Sequence, residues 1–133
     1  MSDVVGLPAG MTVELSRGKV LPGASAEADE WMAMLQTRHT ECLATLDRER
    51  MAVEVVFRSR EDDGTEYLWW FSLKGLDGAG LENSPSAIDA DHDAQARRTK
   101  ERGWIEADPQ VVFLPEPVRQ AVERWSVRDT TES

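Results

Sequence analysis

The apolar positions of the chain change period several times, and each change marks an element. In "MTVELSRGKVLPG" (residues 11–23) Val13 and Leu15 alternate with Glu14 and Ser16, which predicts a strand that Pro22-Gly23 ends. Residues 24–49 switch to steps of three and four. Ala28, Met32, Leu35, Cys42 and Leu46 form one stripe, flanked by Trp31 and Leu43, as one face of a helix requires. Ser25 suits the N-cap, and Glu27, Asp29 and Glu30 suit the positive end of the helix dipole. "MAVEVVFRSR" (51–60) returns to alternation, with Val53, Val55 and Phe57 on one side and Glu54 and Val56 on the other. Asp63-Gly64 in "EDDGTE" is a hairpin signal, and "YLWWFSLKG" (67–75) is a strand apolar on both faces. A Gly-rich loop (76–86) leads to a second helix over 87–104. "PQVVFLPEP" (109–117) predicts the fourth strand, closed by Pro115 and Pro117. Val118, Ala121, Val122 and Trp125 then mark a short C-terminal helix.

The order β-α-β-β-α-β plus a terminal helix is the ferredoxin-like, split βαβ arrangement, an α+β fold with a four-stranded antiparallel sheet and both main helices on one face. The expected organisation is a single domain over residues 12–126, between a flexible leader (1–11) and a flexible tail (127–133). The third strand puts Leu68 and Trp70 on one side and Trp69 and Phe71 on the other. An open sheet face bearing such residues leaves an apolar patch that monomers seldom tolerate. A homodimer follows, with two sheets facing each other as a dimeric α+β barrel. If the strongly apolar side of each strand (Val13, Leu15, Val53, Val55, Phe57) faces the helices, Glu14 and Glu54 face the lumen or the partner.

Charge narrows the partners. The 133 residues carry a formal net charge of −10, which repels phosphate backbones and anionic lipid, so neither nucleic acid nor membrane is expected. The densest basic cluster, Arg97, Arg98, Lys100 and Arg102, follows an acidic turn and suits the C-terminal end of a helix. Cys42 is the single cysteine, which rules out an intrachain disulfide and any zinc site built on cysteine pairs. No secretory signal and no run long enough to span a bilayer is evident, so the expected location is cytoplasmic.

"SAIDADHDAQARR" (86–98) concentrates the candidate chemistry. Asp89, Asp91 and Asp93 resemble the start of a calcium loop, but its sixth and twelfth positions are Ala94 and Lys100 instead of Gly and Glu. On a helix Asp89, His92 and Asp93 share an edge while Asp91 points elsewhere. The helix starts either with Ser84-Pro85 as N-cap and N1 or with Ser86 as N-cap and Asp89 at N3, and acidic residues favour either start. His92 shares a stripe with Ile88 and Ala96. It is either a packed histidine bonded to a carbonyl or to Asp89, or an acid/base group whose tautomer Asp89 fixes. Glu54 and Glu14 either stand in a partly enclosed space lined by tryptophan, where desolvation would raise their pKa values, or lie at a wet rim. His39 lies between Leu35 and Cys42, as a core histidine or a ligand contact, and Cys42 reads as a small core residue. The candidate catalytic residues are therefore His92, Asp89 and Glu54, and the candidate ligand contacts are Trp70, Glu14 and His39. No metal and no cofactor is expected.

"ELSRGKVLPG", "ECLATLDRE", "EYLWWFSLKG", "SPSAIDADHDA" and "VVFLPEP", in this order, resemble an uncharacterised bacterial family, domain of unknown function family 6176, from about residue 12 to residue 117. Ile88, Asp89, His92 and the aromatic strand carry the likeness most specifically. It implies a small ferredoxin-like α+β fold and no established activity. Arg38, His39 and "VFLP" (112–115) also resemble the rhamnose mutarotases, small dimeric α+β barrels, and that likeness implies an acid/base role for His39 in sugar ring opening. Trp69-Trp70 on a strand, and Asn83-Ser84-Pro85 before the second helix, restrict it to architecture. The expected function is a small-molecule pocket, with metal-independent acid–base chemistry of mutarotase, isomerase or lyase type. The alternatives are a non-catalytic ligand-binding or interaction module and a haem- or quinone-type monooxygenase-like barrel.

Overall fold

Alternating residues form β1 (Met11–Lys19), β2 (Met51–Arg60) and β3 (Glu66–Gly75) in a computed structural model that describes residues 4–75 and 86–127. The other elements are α1 (Ser25–Thr37), α2 (His39–Glu49), α3 (Ala87–Thr99), β4 (Ile105–Ala107) and α4 (Glu116–Val127). The sheet order is β2-β3-β1-β4 with every neighbour antiparallel, so β3 is inserted between β1 and the strand that follows it in sequence. This is the split βαβ topology. The β2–β3 hairpin turns at Gly64 (φ 88°), a backbone conformation that glycine adopts without strain, and Asp63 Oδ1 accepts from the Thr65 amide at 2.9 Å.

The long helical stripe breaks at Arg38 (φ −107°, ψ 35°), which divides it into α1 and α2. The Arg38 side chain spans the break and pairs with Glu41 and with Asp91 of α3. Ala24, instead of Ser25, holds the N-cap of α1; the Ser25 hydroxyl donates to Glu66 Oε1 at 2.7 Å and ties the helix start to β3. Ser86 is the N-cap of α3, with Asp89 at N3; Ser84-Pro85 and the loop over 76–85 lie outside the described residues.

Two apolar clusters hold the layers together. Ala28 and Trp31 of α1 pack with Val20, Ala24 and Leu68 on the helical side of the sheet, and Trp70 and Ala96 border them. On the opposite side, Val122 of α4 packs over Met11 and Leu73, with Leu7, Val13 and Trp125 around them.

The faces of the sheet are the reverse of the expectation. Leu68 is fully buried with Trp31, so the even-numbered residues of β3 face α1. Pairing then transmits that parity: Glu54, Ser72 and Glu14 form one helix-side row, and Val56, Trp70 and Ser16 the next. Val13, Leu15, Val53, Val55 and Phe57 lie on the far face. Because side chains alternate with period two, one buried residue on β3 decides the orientation of both its neighbours.

The fourth strand is also earlier and shorter than expected. Ile105–Ala107 pair with β1, while residues 109–115 run without a ladder apart from a parallel bridge between Val5 and Val111. Pro109 has no amide to donate, so the pairing cannot continue through it. The second helix ends at Thr99 instead of Trp104: Lys100 is extended (φ −125°, ψ 159°), and Gly103 has a φ of 83°.

Candidate functional site

A cleft of about 850 Å³ opens between the sheet and the helices α1, α2 and α3. Glu14, Glu54 and Trp70 rise from its floor, Asp89 and His92 enter from α3, and His39 stands exposed at the start of α2; all six line it. Glu14 and Glu54 thus face a space within one protomer instead of a lumen between two.

His92 is held by an unexpected partner. The Trp31 indole donates to His92 Nδ1 at 2.9 Å. An indole N–H can only donate, so Nδ1 is the acceptor and the neutral imidazole carries its proton on Nε2. Burial keeps His92 below its ordinary pKa, against the charges of Asp89 and Asp93. Protonation of Nδ1 would also set two donors against each other. Asp89 does not fix this tautomer: it is buried, and its Oδ2 accepts from Arg48 Nη2 at 2.7 Å. Asp93 pairs with Arg97 one turn later on the outer face of α3.

Trp70 is the centre of an aromatic cluster. Its ring lies 5.1 Å from Trp31, 5.6 Å from His92 and 5.4 Å from Trp104, the last edge-on. Its indole donates to Glu54 Oε2 at 3.1 Å. Solvent reaches Glu54 through the mouth of the cleft, yet protein surrounds the carboxyl on the floor. This burial raises its pKa; the charge of Asp89 adds to the shift, while the Trp70 hydrogen bond and Lys74 oppose it. Lys74 pairs with Glu14 at 3.3 Å.

Sequence reasoning missed Glu49, Trp104 and the role of Trp31. Glu49 lines the cleft, and burial, then the charges of Glu54 and Asp89, push its carboxyl up to about 7. The signal was present: Cys42, Leu46 and Glu49 continue one helical stripe. Cys42 also lines the cleft, with its thiol pushed up by burial and then by Glu54, which keeps it protonated and unreactive. Trp104 is positioned by Lys100, whose Nζ lies 4.2 Å from the ring centroid and donates to the carbonyls of Glu101 and Gly103. This clamp sits over Gly18 of β1, where a Cβ would come within 2.6 Å of Lys100 Cε and 3.2 Å of the Trp104 ring.

The arrangement supplies in Glu49 a carboxyl that can hold or release a proton near neutral pH, in Glu54 a carboxyl that burial biases toward its protonated form, a neutral imidazole with its proton on Nε2, and an aromatic wall. Among the described residues no group of three or more His, Cys, Asp or Glu side chains could hold a metal ion, and no helix is long and apolar enough to cross a membrane. No curated protein and no solved structure matches the chain. From β1 into α4, over residues 11–120, the chain fits the family of unknown function DUF6176, and it belongs to that family.

Proposed function

We propose that the cleft binds a small, uncharged molecule bearing hydroxyl or carbonyl groups and moves a proton on it, as an isomerase, mutarotase or lyase does. Glu54 is the proton-transfer group. His92 donates from Nε2 to a substrate oxygen and stabilises charge that develops there. Trp70 and Trp104 form an apolar wall for the substrate skeleton. The observation that carries this reading is that Glu54 and His92 both touch Trp70 in one cleft, with burial raising the carboxyl and lowering the imidazole. Burial thus favours the uncharged form of each group, the form in which one can give a proton and the other a hydrogen bond. The cytoplasm is the compartment this reading assigns, where the lone Cys42 stays reduced.

The test is a titration with three aldoses, D-glucose, L-rhamnose and D-ribose, read by tryptophan fluorescence and by NMR exchange between anomers. At least one sugar should quench the fluorescence and exchange faster with protein present. Glu54→Gln should slow that exchange by about 100-fold or more while binding persists. Exchange equal in Glu54→Gln and wild type, or no binding of any of the three, would sink the reading. A second reading, a non-catalytic binder, is favoured by the internal bonds that already engage Glu54 and His92; binding without faster exchange would select it.

A further inference from the structure

The polarity of the sheet is inverted. Its helix side carries Glu14, Glu54 and Glu106 around the cleft, while its outer side carries Leu15, Val53, Val55, Phe57, Phe71 and Ile105. Among the described residues only the Met11–Leu73 corner of that outer side is covered, by α4. Val53, Val55, Phe57 and Ile105 remain 39, 37, 53 and 56 % exposed. Strands that turn their carboxylates inward and their branched and aromatic residues outward are suited to an outer surface that excludes water.

We propose that this outer face is the docking surface for a second copy of the same chain, related by a twofold axis. Charge argues against other partners. The chain has 25 acidic residues, yet the three central cross-strand rows of this face hold none. Their one cation, Arg17, is already stacked over Tyr67 (4.4 Å) and Trp69 (5.4 Å) and pairs with Glu61 at 4.0 Å. A basic protein finds no carboxylates in these rows, and an anionic polymer or lipid headgroup finds no open cationic patch. The required partner is flat and apolar, and the molecule itself supplies such a surface. The Trp69 indole donates to Ser59 Oγ at 2.7 Å, so covering the face leaves no orphaned indole donor.

Area supports the same occupant. The rows of Trp69 and Phe71 cross all four strands, whereas the row of Leu73 has no β4 member and is partly covered by α4. The open area is roughly 15 by 20 Å from strand rise and spacing, and covering both copies removes on the order of 1,000 Å² in all, the lower end of a specific interface. An isologous contact of this kind closes at two subunits. The two sheets stack while each protomer keeps its cleft on the side away from the interface.

Sedimentation equilibrium of the full chain at about 50 µM tests this. The expected mass is twice the 14.9 kDa of one chain. Phe57→Glu, at a site already half open to solvent, should weaken association by about 100-fold or more, because pairing buries an uncompensated charge. Its far-UV circular dichroism should remain that of wild type. Ile105→Lys, on β4, reads the same surface should Phe57→Glu fail to fold. Phe113→Glu, 85 % exposed and off the sheet, should leave association unchanged. A wild-type mass of one chain overturns the proposal, and so does a dimer that persists in both sheet-face variants.

Discussion

Glu49 carries a carboxyl that stands at about 7, and this single value has a consequence for stability. The folded chain holds a proton that the unfolded chain releases between about 4.5 and 7. The contribution of this group is therefore present below pH 4.5 and lost as pH rises through 7. Glu49→Gln should leave stability unchanged at pH 4.5 and raise it at pH 8 by about 1 kcal/mol, after allowance for the solvent screening of a half-buried group. Urea melts at the two pH values check this. His92 acts in the opposite direction: its lowered pKa gives stability that is present above its ordinary 6.5 and lost as pH falls. The melts are therefore compared at matched pH between variant and wild type, never across pH. At this scale the shared edge of Asp89 and His92 on α3 was legible because the helix period fixes which residues share a side, whereas the side of the sheet that carries Glu54 was not. Their partners were not. Trp31 and His92 are 61 residues apart, Arg48 and Asp89 are 41 apart, and no local spacing rule connects them.

At the level of elements, strand periodicity located β1, β2 and β3, and the Asp63-Gly64 turn located the hairpin. The side of the sheet that met the helices was not readable from alternation, since β1 and β2 each have an apolar and a polar face. A rule that turns the apolar face inward fails here because Trp31 selects Leu68 and Trp70 of β3, and pairing carries that choice across the sheet. Glycine 18 shows how tightly the floor and the wall of the cleft are joined. Gly18→Ala would place a methyl group against Lys100 and Trp104. The lysine stem is flexible, but its ammonium is anchored to two carbonyls, so the clamp must shift with it. The expected cost is about 1–3 kcal/mol, with altered tryptophan emission. Emission and melting equal to those of wild type would show that the clamp does not set the wall.

At the level of the whole molecule, the layers perform different tasks. The α1–α3 side holds the buried Trp31 core and the cleft, while α4 closes one corner of the other side. The composition of the chain, with a net charge of −10, does not reveal this division: the three central rows of the outer sheet face hold no acidic residue, while Glu14, Glu54 and Glu106 stand on the helix side. The strand order β2-β3-β1-β4 also separates what forms early from what forms late. Arg60 meets Glu66 across a short turn, whereas Met11 must find Gly75, and Arg17 must find Ile105. Loop closure is cheap for the first pairing and costly for the others. The expected folding nucleus is therefore the hairpin, with β1, although central in the sheet, inserted afterwards. In stopped-flow refolding Gly64→Val, which strains the turn, should mainly slow folding, while Val13→Ala on β1 should mainly speed unfolding. If the two variants exchanged these signatures, the central strand would be the one that forms first.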